Sequence, residues 1–226
     1  RLKSSYIIEM PTPHYQNSEI KIFKIIAGPY DNNAYLLVCK KTNHSILIDA
    51  PAEPNEIIKL VKTTKLQMII ITHSHLDHIA GLDQIQSFFN APVAICKPDS
   101  LQLKNIPNTY LKDKTNIKIG NIYLNIITTP GHTPGSICIN IGDHLFTGDT
   151  LFPGGPGKTT SVKNFKKIIE SITYKLFKLP SKTIFYPGHG KDDILKNSIR
   201  EYKIFESINK NNQVYGDVIW KNKLIN

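Results

Sequence analysis

Long apolar runs are missing from this chain. No stretch of about eighteen apolar residues, the least a membrane-crossing helix needs, occurs in its 226 residues. Apolar runs such as Met68–Ile71 are strand-sized, so no membrane contact is expected. Cysteine is scarce: there are three, with no CxxC pair, which excludes a disulfide framework. Cys39 and Cys138 sit in apolar runs and read as small core residues. Arginine is scarcer still. Of 28 cationic side chains only Arg1 and Arg200 are arginine, although the net charge is +10. Nucleic-acid surfaces favour the planar guanidinium fork, and the lysines here are dispersed. The excess charge therefore reads as solvated surface, and nucleic acid is not an expected partner. Repeats and low-complexity linkers are absent too.

What is present is ordinary globular composition, 40% apolar and 20% charged. The length suits one unit over 1–226, with a polar, proline-broken peripheral segment at 1–19. The first residue is Arg1, so a removed targeting segment is left open, and the expected location is cytoplasmic. Ile20–Ala27, Ala34–Cys39, Ser45–Ile48 and Leu66–Ile71 read as strands. Helical spacing appears at Glu53–Lys62 and at 79–89, where Ile79, Leu82, Ile85 and Phe89 align. The second half follows the same order. Ile117–Ile119, Ile122–Ile127, Ser136–Ile141 and His144–Phe146 are strand-like, and a helix is predicted over Val162–Phe177 with Ser161 as its N-cap. Thr183–Tyr186 is a last strand and Ile194–Ile208 a last helix. Strand groups followed by helices, twice over, predict an α/β protein with two mixed sheets packed together and helices outside.

The chemistry is concentrated where strands end. After the apolar run to Ile71 comes Thr72-His73-Ser74-His75-Leu76-Asp77-His78. From this chain's own His and Asp frequencies, H-x-H-x-D-H would arise by chance about once in two thousand such chains. His73 and His75, two apart on extended backbone, face the same way and can grip one metal. Asp77 and His78 lie on the turn into a helix, and can face a second position about 3.5–4 Å away. Three further strand ends deliver His132 in Thr129-Pro130-Gly131-His132, Asp149 in Phe146-Thr147-Gly148-Asp149, and His189 in Tyr186-Pro187-Gly188-His189. Packing gives no reason for metal-binding residue types to recur at strand ends. His14, His44 and His144 lie outside this pattern and read as ordinary surface or core residues. Gly154-Gly155-Pro156-Gly157-Lys158-Thr159 superficially matches a phosphate loop, but Phe152 stands where the first Gly is needed, so it reads as a rim loop.

This order of motifs resembles the metallo-β-lactamase superfamily, and within it the chain is similar to the glyoxalase II-like hydrolases. Further matches are Asp31-Asn32-Asn33-Ala34-Tyr35-Leu36, Ile48-Asp49-Ala50-Pro51 and Gly148-Asp149-Thr150-Leu151-Phe152. The resemblance implies an αββα sandwich with the site along one edge. It implies that His73, His75 and His132 bind a first metal, that Asp77, His78 and His189 bind a second, and that Asp149 bridges them. Asp49 matches a buried carboxylate that orients a ligand or a loop. Two divalent metals are expected, zinc first, with iron and manganese also suited to these nitrogen and oxygen ligands. The implied reaction is attack of a metal-bridging hydroxide on a thioester, ester or lactone of a small anionic metabolite, with Asp77 and Asp149 as the catalytic carboxylates. Lys158 matches a lysine that contacts the glutathione carboxylate and is the expected substrate-binding residue. Thr160 and Lys191 replace two tyrosines of that family, and too little chain follows His189 for its helical C-terminal domain, so a different acid is expected. The alternative is a mononuclear iron persulfide dioxygenase using His73, His132 and Asp149. A nuclease would need an RNA-gripping insertion that the chain lacks. Two classes of β-lactamase carry Cys or Ser in place of Asp149. A monomer or homodimer is expected.

Overall fold

Alternation of apolar side chains decides which layer each strand faces. The computed structural model describes residues 11–209 and 213–220. Its first sheet has seven strands in chain order: β1 (Tyr15–Gln16), β2 (Ile20–Ala27), β3 (Asn32–Cys39), β4 (His44–Ile48), β5 (Lys65–Ile70), β6 (Val93–Cys96) and β7 (Thr109–Leu111). Strands β1 to β4 pair antiparallel, and β4 to β7 pair parallel. The parallel crossovers carry helices α1 (Asn55–Val61), α2 (Leu76–Ile79) and α3 (Leu82–Phe89). The chain then supplies β8 (Asn116–Ile119), β9 (Ile122–Thr128), β10 (Ile137–Ile141), β11 (His144–Gly148), the small hairpin β12 (Leu151–Phe152) and β13 (Gly155–Pro156), β14 (Ile184–Pro187) and β15 (Asp193–Ile194). The second sheet runs β15-β14-β11-β10-β9-β8, with β11 and β14 parallel and the other pairs antiparallel. Helices α4 (Val162–Tyr174) and α5 (Leu195–Ile208) cover its outer face.

Three apolar layers hold these parts together. All eight residues of β3 are buried, and they alternate in direction. Tyr35, Leu37 and Cys39 enter the layer between the sheets, with Leu124, Ile126, Ile139 and Phe146 of the second sheet. Ala34, Leu36 and Val38 point the other way, against Ile57 and Ile58 of α1 and Ile85 of α3. In β10, Ile137 and Ile139 face the inter-sheet layer while Cys138 packs outward with Phe165, Ile168 and Ile172 of α4. A strand buried on both faces is apolar along most of its length, which is why these strands read as near-continuous apolar runs. The result is the αββα sandwich, with Cys39 and Cys138 in the core as expected.

Several details differ from the sequence expectation. The helix at 79–89 is two helices, because the Gly81 N–H turns aside to donate to Ala50 O at 2.9 Å. Helix α4 starts where expected, with Ser161 Oγ accepting from Asn164 N at 3.2 Å, but tightens into a 3₁₀ turn at Leu176–Lys178. Strands β6 and β7 were not legible: they have four and three residues, between prolines 92, 98 and 107. The peripheral N-terminal segment contributes β1, which pairs with β2. Residues 1–10 lie outside the described residues.

Strands β5, β9, β11 and β14 all end at one edge of the sandwich, where they carry the candidate site residues. Leu37, fully buried between the sheets, tests how far this scaffold rests on the central layer. Leu37→Ala should reduce the unfolding free energy by about 2–5 kcal/mol, read by urea denaturation.

Candidate metal centre

The five strand-end histidines meet in one place. His73 follows β5 and is fully buried, and His75 stands at the N-terminus of α2. Their neighbour His132 leaves the β9 end, and its Nε2 lies 2.9 Å from His75 Nδ1 and 3.3 Å from His73 Nε2. On the other side, His78 Nε2 lies 3.3 Å from His189 Nε2. Asp77 Oδ2 is 3.2 Å from His189 Nε2 and 3.6 Å from His78 Nε2. Asp149 sits between the groups. Its Oδ1 is 3.4 Å from His78 Nε2, and its Oδ2 is 3.6 Å from His132 Nε2, 3.7 Å from His189 Nε2 and 4.0 Å from His73 Nε2. Three overlapping clusters result: His73, His75 and His132; His73, His78 and Asp149; Asp77, His78 and His189.

The outward nitrogens explain the inward ones. His78 Nδ1 lies 2.9 Å from Asp49 Oδ2, His132 Nδ1 2.8 Å from Lys158 O, and His189 Nδ1 3.0 Å from Tyr30 O. Carboxylates and carbonyls only accept, so each of these nitrogens carries the hydrogen. His73 Nδ1 lies 3.1 Å from Thr72 Oγ1, whose own hydrogen is donated to Asp49 Oδ2 at 2.8 Å; the hydroxyl therefore accepts from His73. Four imidazoles thus carry a hydrogen on the outside and turn Nε2 inward, while His75 turns Nδ1 inward. Such outward anchors are how proteins orient metal-binding imidazoles.

Nitrogens this close need a positive charge between them, a proton or a metal ion. The carboxylate tells the same story: Asp149 Oδ1 is buried and makes no hydrogen bond. Burial opposes ionisation of Asp149, but His78, His73 and His132 outweigh it and hold it well below the usual carboxylate range. Burial also disfavours charge on His78, yet Asp49 and Asp149 push its pKa up to about 10. His73 and His132 are pushed down, chiefly by burial. Space is shaped to match. A Cβ on Gly188 would come within 2.2 Å of Asp149 Oδ1 and 2.6 Å of His78 Cε1, so only glycine can precede His189. The donor set, all imidazole and carboxylate, fits divalent zinc, iron or manganese.

Asp49 anchors more than His78. It ends β4 with φ +62°, a left-handed conformation that costs a non-glycine residue energy, and its Oδ1 accepts from Thr72 N at 2.7 Å. The strained turn aims one carboxylate at both the β5 end and α2. Lys158 lies at the rim of a cleft of about 770 Å³, whose floor includes Asp77 and whose walls include Tyr30, Ala52, Leu76 and Ala80. Its ammonium is exposed and 3.5 Å from the equally exposed Asp217.

Sequence reasoning picked out Asp49 but missed the other supports. Asn32 Nδ2 donates to Asp77 Oδ2 at 2.8 Å and contacts His189 Nε2 at 3.3 Å. Asn33 Nδ2 donates to Pro187 O at 2.9 Å and Gly190 O at 3.0 Å, pinning the turn that carries His189. Lys24 Nζ reaches the same turn through Gly190 O at 2.7 Å and Asp192 Oδ1 at 2.8 Å. The available signal was two adjacent asparagines opening an otherwise apolar strand. The other three histidine readings need little change: His14 pairs with Asp192, His44 opens β4 half-buried, and His144 is buried against the Tyr186 hydroxyl at 2.8 Å.

Comparison with known proteins agrees with this geometry. Residues 27–189 match the family model of the metallo-β-lactamase superfamily. The chain belongs to this superfamily. It is 36% identical over 172 residues to the probable hydroxyacylglutathione hydrolase glo2 of Schizosaccharomyces pombe, covering 72% of this chain and 65% of that relative's length. It is 30% identical over 191 residues to the probable metallo-hydrolase YqgX of Bacillus subtilis, covering 74% and 90%. Among solved structures, ETHE1 from Myxococcus xanthus is 26% identical with a TM-score of 0.70, over 79% of this chain and 81% of that one. No helix among the described residues is long and apolar enough to cross a membrane.

Asp49→Asn should present an amide N–H to the His78 Nδ1 hydrogen and drive that imidazole toward the wrong tautomer. Metal affinity should fall by about 10–100-fold in chelator competition, the usual cost of removing such a partner.

Proposed function

We infer that the protein is a metal-dependent hydrolase of thioesters, with esters and lactones as related substrates. The observation that carries this reading is the inward convergence of five imidazole nitrogens on both sides of the Asp149 carboxylate, whose buried Oδ1 makes no hydrogen bond. His73, His75 and His132 would hold one divalent ion, Asp77, His78 and His189 a second, and Asp149 would touch both. Zinc is the first candidate, with iron or manganese able to fill the same donors. Such ions, when bound, lower the pKa of water to about 7 and polarise a carbonyl oxygen. No serine or cysteine nucleophile is then needed.

The chain's own residues do the rest. Asp149 and Asp77 reduce the positive charge, which leaves the site attractive to anionic substrates. Burial resists the ionisation of Asp77, but the Asn32 amide and the charge of His78 together outweigh it and hold the carboxyl below its usual range. Asp77 is therefore available to accept a hydrogen bond from the attacking water and to aim it. The apolar wall of Tyr30, Ala52, Leu76 and Ala80 suits the carbon skeleton of an acyl or thiol group. Lys158 places a cation at the far rim. Its exposed pair with Asp217 is worth at most about 1 kcal/mol, so a substrate carboxylate can take Asp217's place. The naming of the Schizosaccharomyces pombe relative supports a thioester among the candidate substrates.

The mononuclear iron alternative draws support from the ETHE1 likeness but uses only His73, His132 and Asp149. It leaves Asp77, His78 and His189 as a converging group with no task, so the dinuclear reading accounts for more. A screen of metal-loaded protein against thioesters, lactones, aryl esters, β-lactams and phosphodiesters tests the function, with an oxygen electrode for the alternative. Thioester turnover is expected; oxygen uptake with a persulfide and no hydrolysis would reverse the order.

Asp149→Ala should fold, bind less than two metals per chain by elemental analysis, and lose on the order of a thousandfold in kcat, the scale of removing a key electrostatic group. Near-normal turnover by this variant would sink the role given to Asp149. Lys158→Met keeps the backbone carbonyl that holds His132 and removes only the charge. With anionic thioesters it should raise KM more than it lowers kcat, at a cost of about 1–3 kcal/mol in kcat/KM, and it should matter little for neutral aryl esters. Equal losses on both substrate classes would count against a carboxylate contact.

A further inference from the structure

Asp99 has no part in the machinery described so far, yet it is 2% exposed and lies beside the first cluster. It sits on a 3₁₀ turn, Lys97–Gln102, that follows β6 and belongs to neither of the loops carrying His73, His75 and His132. Its carboxylate joins those two loops. Oδ2 accepts from Ser74 N at 3.0 Å, and Ser74 is the residue between His73 and His75. The same oxygen accepts from Thr133 Oγ1 at 2.7 Å, next to His132. Oδ1 accepts from Gly135 N at 2.6 Å. The chain of donors continues outward: Ser136 Oγ lies 2.6 Å from Thr133 Oγ1 and accepts from Thr133 N at 3.1 Å. A Cβ on Gly135 would come within 2.5 Å of Asp99 Oδ1, so glycine is required for the approach.

We propose that Asp99 is a positioning residue that locks the His73–His75 loop to the His132 loop and so sets the spacing of the three imidazoles of the first metal position. The proposal rests on the metal assignment given above. Asp49 orients one imidazole by touching it. Asp99 instead grips the backbone and hydroxyl groups beside the imidazoles, and it alone among the described carboxylates takes hydrogen bonds from both loops. Buried N–H and O–H groups left without an acceptor are costly, so this carboxylate braces the two loops beyond the backbone bond from Ile137 N to Thr72 O, 2.9 Å, at their bases. The distance between His132 Nε2 and His75 Nδ1, 2.9 Å, spans the two loops and depends on the grip.

The test uses Asp99→Asn, which replaces one acceptor oxygen by a donor facing donors. Chelator competition should show one of two metal-binding steps weakened by about 10–100-fold and the other unchanged. Thr133→Val, which removes a single donor, should weaken the same step less, and Thr133→Ser should restore it. These two variants decide the matter if Asp99→Asn does not fold. In the metal-free protein, hydrogen exchange at Ser74 and Gly135 should speed up in Asp99→Asn while the sheet amides stay protected. Equal weakening of both steps, or a lowered melting temperature with both steps intact, would make Asp99 merely structural and overturn the proposal. A wild type that takes up no metal would overturn the metal assignment and the positioning role with it. The exchange result tells that failure from a failure of the contact, since slow, unchanged exchange at Ser74 and Gly135 overturns the contact alone.

Discussion

Five imidazole nitrogens and two carboxylates converge at the site, and the site depends on holding them in place. The force that does so acts from behind. Each of four rings gives its Nδ1 hydrogen to a fixed acceptor: Thr72 Oγ1, Asp49, Lys158 O or Tyr30 O. Two of those acceptors are backbone carbonyls, which no substitution removes. A hydrogen bond to an acceptor of fixed direction sets both the tautomer and the ring plane, so arrival of a metal needs little reorganisation. Strands buried on both faces supply a rigid base, and the site is drawn from their ends.

This division of labour explains what was legible in the sequence. The ligand-type residues stood out because they interrupt apolar strands with chemistry that packing does not require. The strands that carry them were legible for the same reason, as long runs of Ile, Leu and Val that must be buried on both faces. Apart from Asp49, the supports were not legible. Asp99 lies on a short turn between β6 and β7, neither of which has enough residues to show a period. Lys158 drew attention through its side chain, whereas its carbonyl is what meets His132. A backbone acceptor leaves no trace in residue type. Asn32 and Asn33 were visible as letters, but their partners Asp77 and Pro187 lie 45 and 154 residues away.

The two halves of the site are braced differently, and the difference follows from the fold. The His73–His75 and His132 loops leave different sheets; their bases meet where Ile137 N donates to Thr72 O at 2.9 Å, and the 3₁₀ turn at Asp99 reaches both further out. The turn carrying His189 lies against the start of β3, so the tie can come from a strand already present. Asn33 meets it through Pro187 O and Gly190 O, and Asn33 N donates to Gly188 O at 2.7 Å. Main-chain pairing between Asn32 and His189 extends the contact. One half is thus held by a buried carboxylate and the other by strand-like hydrogen bonds.

The positive charge of the chain has a consequence at the rim. Three carboxylates, Asp49, Asp77 and Asp149, lie within the site, and two divalent ions would exceed their charge. Lys158 adds a further cation where the cleft opens, and Asp217 on the rim partly answers it. An anionic substrate would thus find a cation at the mouth and an apolar wall beyond it. A neutral substrate gains from the wall alone. Selectivity for anions would come from the rim and the ions together, while the identity of the acid is left to the side chains of the wall, Tyr30 and Leu76 foremost because they are the large exposed groups there.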